Sequence, residues 1–369
     1  MITTNVCFHC GAILTADSIH RFDDRIMCRD CFDKLAVLCD CCLDRIWRDE
    51  AEGNRTVTLC SCCYENNYTT CASCGILIHK DDACYFDDSD EPYCQDCRDK
   101  MSDETIHNYH YKPEPIFYGS GSLFMGVELE IDEGGESDYN AEKICDIANA
   151  AGDYIYCKHD GSLDDGFEIV SHPMTLDHHT NEMNWQSVLA EAVHLHYTSH
   201  NAGSCGLHIH CNRDFFGGTV DEQEIAIGRI VYFVEKHWNE LVRFSRRTTG
   251  SLNRWAAKYA TISDTILETY QKAKNKDMGR YVAVNLSNYS TIEFRLFRGT
   301  LRYETFIATL QLVDEICHTA LRLHDSEMEE LPWSEFVMRI DKETKPELIE
   351  YLKARRLYVN EMVADSMEV

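Results

Sequence analysis

The chain reads as an α+β protein in which three small zinc modules precede a larger mixed domain. Paired Cys-x-x-Cys motifs recur at a period of about 32 residues through the first hundred positions. Beyond them, GVELE (126–130), GLHIH (206–210) and TIEFRLFR (291–298) alternate apolar and polar residues, the period of a half-buried strand. Longer segments with apolar residues at helical spacing lie between and after these strands.

The cysteine modules come first in the chain. Cys7 and Cys10 pair with Cys28 and Cys31 across 17 residues, and Cys39 and Cys42 with Cys60 and Cys63 across another 17. Cys71 and Cys74 pair with Cys94 and Cys97 across 19. Four thiolates in two short loops suit a tetrahedral Zn2+, so about three structural ions are expected, in modules 1–35, 36–68 and 69–99. Each module has too few residues for an apolar core, and metal would replace it. The knuckle, hairpin and short-helix pattern resembles LIM-like treble-clef or zinc-ribbon modules. Cys41 and Cys62 sit inside the second module's knuckles, which leaves its ligand register open by one residue. Disulfides are the other use of such a cluster. The opening MITTNVCFHC carries no apolar signal core, which predicts a reducing, cytoplasmic setting with metal-bound thiols.

A formal net charge of −28 repels phosphate backbones, so nucleic acid is not an expected partner. A basic protein partner fits, as does an anionic ligand neutralised by metal. No apolar run reaches membrane-helix length, and no membrane association is expected.

Residues 100–119, with two prolines and little periodicity, read as a linker to a catalytic domain at 120–325. In that domain NAEKICDIANAAG (140–152) predicts a helix. A second helix is predicted over 221–244, opened by Asp221 with Glu224 in capping-box spacing, and a third over 303–324. In the C-terminal tail, 326–369, two short helices within 332–360 are expected to pack on the outside.

Four segments carry polar groups that a packed core does not need. In GVELE, Val127 and Leu129 point one way while Glu128 and Glu130 project together, and a divalent cation would relieve their repulsion. In KHDGSLDDGFEIVSHP (158–173), Asp160, Ser162 and Glu168 surround a glycine turn. In GLHIH, His208 and His210 share a strand face. In TIEFRLFRG, alternation puts Ile292, Phe294 and Leu296 on one face and Glu293, Arg295 and Phe297 on the other, with Arg298 next. Carboxylates with an occasional imidazole suit Mg2+ or Mn2+, and arginine beside them suits a transferring phosphoryl group. Lys158 and Arg280 read first as exposed surface charges, with contact to phosphate or substrate as the alternative reading.

These four motifs, in this order, resemble the amidoligase family, carboxylate–amine ligases related to glutamine synthetase and glutamate–cysteine ligase. The resemblance covers about residues 120–325. It implies a curved antiparallel sheet of glutamine synthetase-like type with flanking helices, whose concave face holds ATP and divalent ions. It also implies activation of a carboxylate as an acyl phosphate, which an amine attacks to form an amide. On that basis Glu128, Glu130, Glu168, His208 and Glu293 would hold Mg2+. His208, His210, Arg295 and Arg298 would contact the nucleotide, with Arg295 at the γ-phosphoryl group, and Asp160 and Ser162 would line the substrate side. Leu163 follows the Asp-Gly-Ser turn where many glutamate–cysteine ligases carry arginine, so free glutamate is not implied as the substrate. The substrates would be a carboxylate and an amine, either small molecules or groups on a peptide or protein. The zinc modules would recruit or orient the substrate. Two other readings stay open: a zinc-module adaptor without catalysis, and a metal-dependent hydrolase that has no task for Arg295.

Overall fold

The computed structural model describes residues 5–15, 18–85, 91–101, 105–200, 203, 205–259, 265–275 and 279–358. The chain divides into two units, Met1–Asp103 and Glu104–Val369.

The first unit repeats one pattern. Strands Asn5–Val6 and Ile13–Leu14 pair, then His20–Phe22 and Arg25–Met27, and helix Arg29–Leu35 follows. The second repeat pairs Ala36–Leu38 with Arg45–Trp47 and Glu52–Gly53 with Thr58–Leu59, before helix Ser61–Asn67. The third pairs Tyr68–Thr70 with Leu77–His79 and ends in helix Gln95–Met101. Each repeat keeps only a few buried apolar residues around its cysteines, such as Leu14 and Met27 in the first.

In the second unit we number the sheet strands β1 (Ile106–His107), β2 (Met125–Ile131), β3 (Ile155–Lys158), β4 (Phe167–Ser171), β5 (Gly206–Asn212), β6 (Val284–Asn285) and β7 (Thr291–Arg298). Their spatial order is β1-β3-β4-β2-β5-β7-β6. Every pairing is antiparallel except β1 with β3, so the sheet is mixed rather than purely antiparallel. The parallel strand comes from the segment read as linker. Its Ile106 is buried and joins the core, an apolar contact that prolines at 113 and 115 do not prevent.

Ten α-helices are described in this unit: α1 (Asp138–Ala148), α2 (Trp185–His194), α3 (Val220–Lys236), α4 (Trp238–Ser245), α5 (Thr249–Trp255), α6 (Ile266–Asn275), α7 (Tyr303–Arg322), α8 (Asp325–Glu330), α9 (Trp333–Arg339) and α10 (Pro346–Ala354). The expected helix over 221–244 is two helices, broken at His237. Its cap is Thr219 rather than Asp221. The Thr219 hydroxyl accepts from the Glu222 N–H, and the Glu222 carboxylate accepts from the Thr219 N–H at 3.1 Å, a reciprocal box two residues upstream of the expected one.

One apolar core joins the sheet to the helices. Val127, Leu129 and Ile131 of β2, Leu207, Ile209 and Cys211 of β5, and Ile292 and Phe294 of β7 are fully buried in it. Each buried aliphatic side chain stabilises the fold by about 1.5–3 kcal/mol. The tail helices belong to this core too, since Trp333, Phe336, Leu348 and Leu352 are buried there. Between them the buried Lys345 ammonium reaches Asp314 at 2.7 Å and Glu315 at 2.5 Å, both on α7.

His179 fixes the start of β2. Trp185 Nε1–H can only donate, so His179 Nδ1 accepts from it at 3.1 Å, and Nε2–H then donates to the Met125 carbonyl at 2.8 Å. Only the neutral ring satisfies both partners, and burial lowers its pKa to about 4. An unfolded chain protonates near pH 6.5 while the folded chain does not. This contribution is therefore complete above pH 6.5 and is lost as pH falls toward 4. Between pH 7 and pH 5 it amounts to about 2 kcal/mol. In denaturant titrations His179→Gln, whose amide stays neutral, should lose about that much less stability over the same interval than wild type; equal losses would remove His179 as the cause.

Candidate active site and cysteine clusters

Strand register builds the site. Lys158 of β3 lies opposite Glu168 of β4, and Glu168 opposite Glu130 of β2. Glu128 lies opposite His208 of β5. His210 lies opposite Glu293 of β7, and Glu293 opposite Asn285 of β6. Opposed residues of an antiparallel pair share a face, so these eight polar side chains line one side of the sheet while the buried aliphatics line the other.

The alternation read for TIEFRLFR breaks at one point. Ile209 pairs with Phe294 but Leu207 pairs with Phe297, so β7 carries one extra residue there. This β-bulge turns Phe297 onto the core side, against Phe244 with ring centroids 6.0 Å apart, instead of leaving it beside Glu293 and Arg295. Arg295 sits at the bulge and its guanidinium bonds the Glu293 carboxylate.

The polar groups crowd together. His208 Nδ1 lies 3.4 Å from Glu128 and 3.8 Å from Glu293, and its Nε2 lies 3.8 Å from Glu130. His210 Nε2 lies 3.2 Å from Glu128 and 3.9 Å from Glu293. Both ring nitrogens of His208 and Nε2 of His210 are nonetheless buried without a hydrogen-bond partner. Gly206 makes room for His208: a Cβ there would stand 2.6 Å from Nε2. The Gly206 N–H also donates to Glu130.

Charge in this crowd is divided unevenly. Burial pushes Glu168 well above the usual carboxylate range, helped by the Glu128 charge, and Lys158 at 3.3 Å offsets part of that. Burial also raises Glu130. It pushes the same way on Glu128 and Glu293, but the imidazoles of His210 and His208 outweigh it and both carboxyls are lowered. Two sets, Glu128–His210–Glu293 and Glu128–Glu168–His208, bring their ligand atoms within 4.8 Å of one another and share Glu128. An O/N donor set with stranded buried nitrogens fits one or two divalent cations.

These groups form the floor of a cavity of about 1010 Å3. Asp160 and Ser162 line it, on a turn where Asp160 accepts from the Ser162 N–H at 2.7 Å. Lys158 is buried here, contrary to its reading as a surface charge. Arg280 is exposed but lines the cavity mouth and donates to Tyr109 Oη. Arg298 does not line the cavity. It is the last residue of β7, its guanidinium donates to the His200 carbonyl, and it faces a separate chamber.

Sequence reading missed several lining residues: Arg247, Arg254, Trp255, Tyr281, Asn285 and the segment Tyr109, His110 and Lys112. Arg247 is buried, donates to the Arg295 carbonyl at 2.7 Å and to Ser251 Oγ at 2.9 Å, and burial lowers it to about 10. Its only sequence signal was the doublet Arg246-Arg247 just past a helix. In all, six carboxylates (128, 130, 160, 164, 168, 293) face six cations (112, 158, 247, 254, 280, 295) in the cavity. Acidic and basic side chains are therefore equal in number here, in a chain with 63 acidic against 35 basic, a set compatible with metal and anion together.

In the first unit the four-cysteine groups assemble as the spacing implied: Cys7, Cys10, Cys28 and Cys31; Cys39, Cys42, Cys60 and Cys63; Cys71, Cys74, Cys94 and Cys97. The second module's open register resolves to this set. Cys41 and Cys62 lie outside it, accepting from Asn67 at 3.3 Å and Asn66 at 3.4 Å. The first cysteine of each set is lowered to about 6. For Cys7 the Cys10 N–H is the main cause, while for Cys39 and Cys71 knuckle N–H groups outweigh burial. Other members are raised, Cys31 to about 12 chiefly by Cys28 and Cys94 to about 12 chiefly by burial, so each set holds one ready thiolate among four sulfurs spaced for zinc. Elemental analysis of the purified chain should find about three zinc ions per molecule, and Cys39→Ser should remove one; an unchanged zinc content would exclude the second cluster as a metal site.

Residues 146–317 match the model of a family described as "Putative amidoligase enzyme". The amidoligase resemblance is shown over that stretch. It contains Glu168, His208, His210, Glu293 and Arg295, and β2 with Glu128 and Glu130 precedes it. The family's class is that of a carbon–nitrogen ligase. Among solved structures, a bifunctional glutathione synthetase from Pasteurella multocida is similar at 13% identity and a TM-score of 0.38, over 63% of this chain and 46% of that one. The chain thus spans less than half the length of that protein. No curated protein matches. Among the described residues, no helix is long and apolar enough to cross a membrane.

Proposed function

We propose that the second unit is an ATP-dependent carboxylate–amine ligase using Mg2+ or Mn2+, on a sheet of glutamine synthetase-like type. The carrying observation is that both ring nitrogens of His208 and Nε2 of His210 are buried without a hydrogen bond while they face Glu128, Glu130 and Glu293. Glu128, Glu130, Glu168, His208 and Glu293 would hold the divalent ions, which neutralise phosphate charge when bound. His210 supplies a further nitrogen to the same group.

The chain's own residues would do the following. Arg295, anchored by Glu293 and held from behind by the Arg247 contact to its carbonyl, meets the charge that builds on the γ-phosphoryl oxygens. The substrate carboxylate attacks the γ-phosphorus, ADP leaves, and an acyl phosphate results. The amine then attacks the acyl carbon, phosphate leaves, and the amine proton is lost. Asp160 and Ser162 lie at the cavity wall where the acceptor would sit. Lys112, Arg254 and Arg280 add cationic wall that suits an anionic nucleotide or carboxylate substrate. The substrates are a small-molecule or peptide carboxylate and an amine. The zinc modules recruit or orient a substrate, and the acidic chain favours a basic protein in that role.

The test is ADP release from Mg-ATP across paired carboxylates and amines. Glu128→Ala and Glu293→Ala should keep the wild-type circular dichroism and lose turnover by about 100-fold or more, the scale of about 2.7–4 kcal/mol for a preorganised electrostatic group. Turnover retained in either variant would remove that residue from the site.

A further inference from the structure

A second basic chamber lies in the same unit, built by the strand ends and helix ends that leave the catalytic sheet. It encloses about 260 Å3 and is lined by His200, Arg246, Arg298, Thr300, Arg302 and Tyr351, among others. Arg246, Arg302, Thr305 and Tyr351 also line an adjoining groove of about 520 Å3, whose far wall includes Pro346 and Ala354.

The chamber gathers positive charge that the chain does not neutralise. Arg302 reaches Glu304 at 3.1 Å, with both side chains exposed. Arg246 and Arg298 have no carboxylate within 4 Å among the described residues. The groove's other two acids are engaged elsewhere: Glu347 accepts from Gln311 at 2.6 Å, and Glu350 pairs with Lys353 at 2.8 Å. Burial, then the charge of Arg246, pulls the Arg298 guanidinium below its ordinary pKa. In a chain with 35 basic against 63 acidic side chains, two neighbouring arginines without a carboxylate partner are a local excess of positive charge.

The backbone is shaped to hold them there. Arg246 ends α4 in the left-handed region at φ 60°, where a non-glycine residue costs roughly 1–2 kcal/mol. Arg298 is followed by Gly299, where any Cβ would stand 2.1 Å from Ser199 Oγ. The Tyr351 hydroxyl donates to the Phe244 carbonyl at 3.1 Å, which leaves its oxygen lone pairs toward the arginines. Thr300 and Thr305 add hydroxyl donors.

We propose that this chamber is a second anion site, taking inorganic phosphate or the phosphate group of a small phosphate ester, apart from the catalytic cavity. Three planar guanidinium forks and two hydroxyls match a tetrahedral dianion in number of donors and in charge. The adjoining groove would hold the organic part of an ester. The site does not depend on the ligase reading, because its residues are separate from the catalytic set.

The test is calorimetric titration of the full-length, zinc-loaded protein with inorganic phosphate, pyrophosphate and glycerol 3-phosphate, without added Mg2+. Wild type should bind at least one of these, and Arg298→Ala should weaken that binding roughly tenfold or more, as loss of one charge-assisted bond implies. Arg246→Gly is the second variant. Glycine suits the left-handed backbone, so the fold is kept or stabilised while the charge is lost, and binding should weaken by a similar factor. Arg295→Ala, in the catalytic cavity, should leave the binding within about threefold. Tighter binding of glycerol 3-phosphate than of phosphate assigns the site to esters, and the reverse to free phosphate. No binding by wild type, or binding lost in Arg295→Ala and kept in both Arg246→Gly and Arg298→Ala, would overturn the proposal whatever the outcome for ATP.

Discussion

The second unit depends on a repulsion created by strand register. Antiparallel pairing of β4, β2, β5 and β7 places Glu168, Glu130, Glu128 and Glu293 on one sheet face, with two imidazoles between them. Pairing is enforced from the other face, since a one-residue slip would bring Val127, Leu129, Leu207 and Ile209 out of the core. Apolar burial therefore pins four carboxylates together, and the neighbouring cations only partly offset them. Lys158 serves Glu168, and Arg295 and Asn285 serve Glu293. The nitrogens of His208 are left stranded, as expected of a floor arranged for an ion rather than for its own internal bonds.

The cavity above that floor follows from the same arrangement. A purely acidic pocket would draw in metal and reject a triphosphate. Arg247, Arg254, Arg280 and Lys112, on segments far apart in sequence, bring the cationic count up to that of the carboxylates. Arg247 also shows how the layers connect. It holds the carbonyl of Arg295 at the bulge, so the position of Arg295 rests on a buried guanidinium as well as on Glu293.

What was legible in the sequence was what is local and periodic. The cysteine spacing contained the three four-cysteine sets, and Glu128, Glu130, His208, His210 and Glu293 could be read from two-residue alternation on their own strands. The failures were non-local. The bulge between β5 and β7 shows only in pairing, so Phe297 was placed on the wrong face and Arg298 in the wrong cavity. Ile106–His107 looked like linker because a two-residue edge strand has no periodicity to read. Lys158 looked exposed because its partner, Glu168, is supplied by the next strand. Arg247 and Arg254 lie on segments without alternation, and only folding brings them over the sheet.

The central claim is that this floor holds a nucleotide through divalent metal. Calorimetric titration of the full-length protein with ATP, with and without Mg2+, on wild type and Glu293→Ala, tests it most directly. The account predicts binding by wild type that requires Mg2+ and disappears in Glu293→Ala. Absence of Mg2+-dependent ATP binding in folded, zinc-loaded wild type, or undiminished binding in the variant, would contradict it.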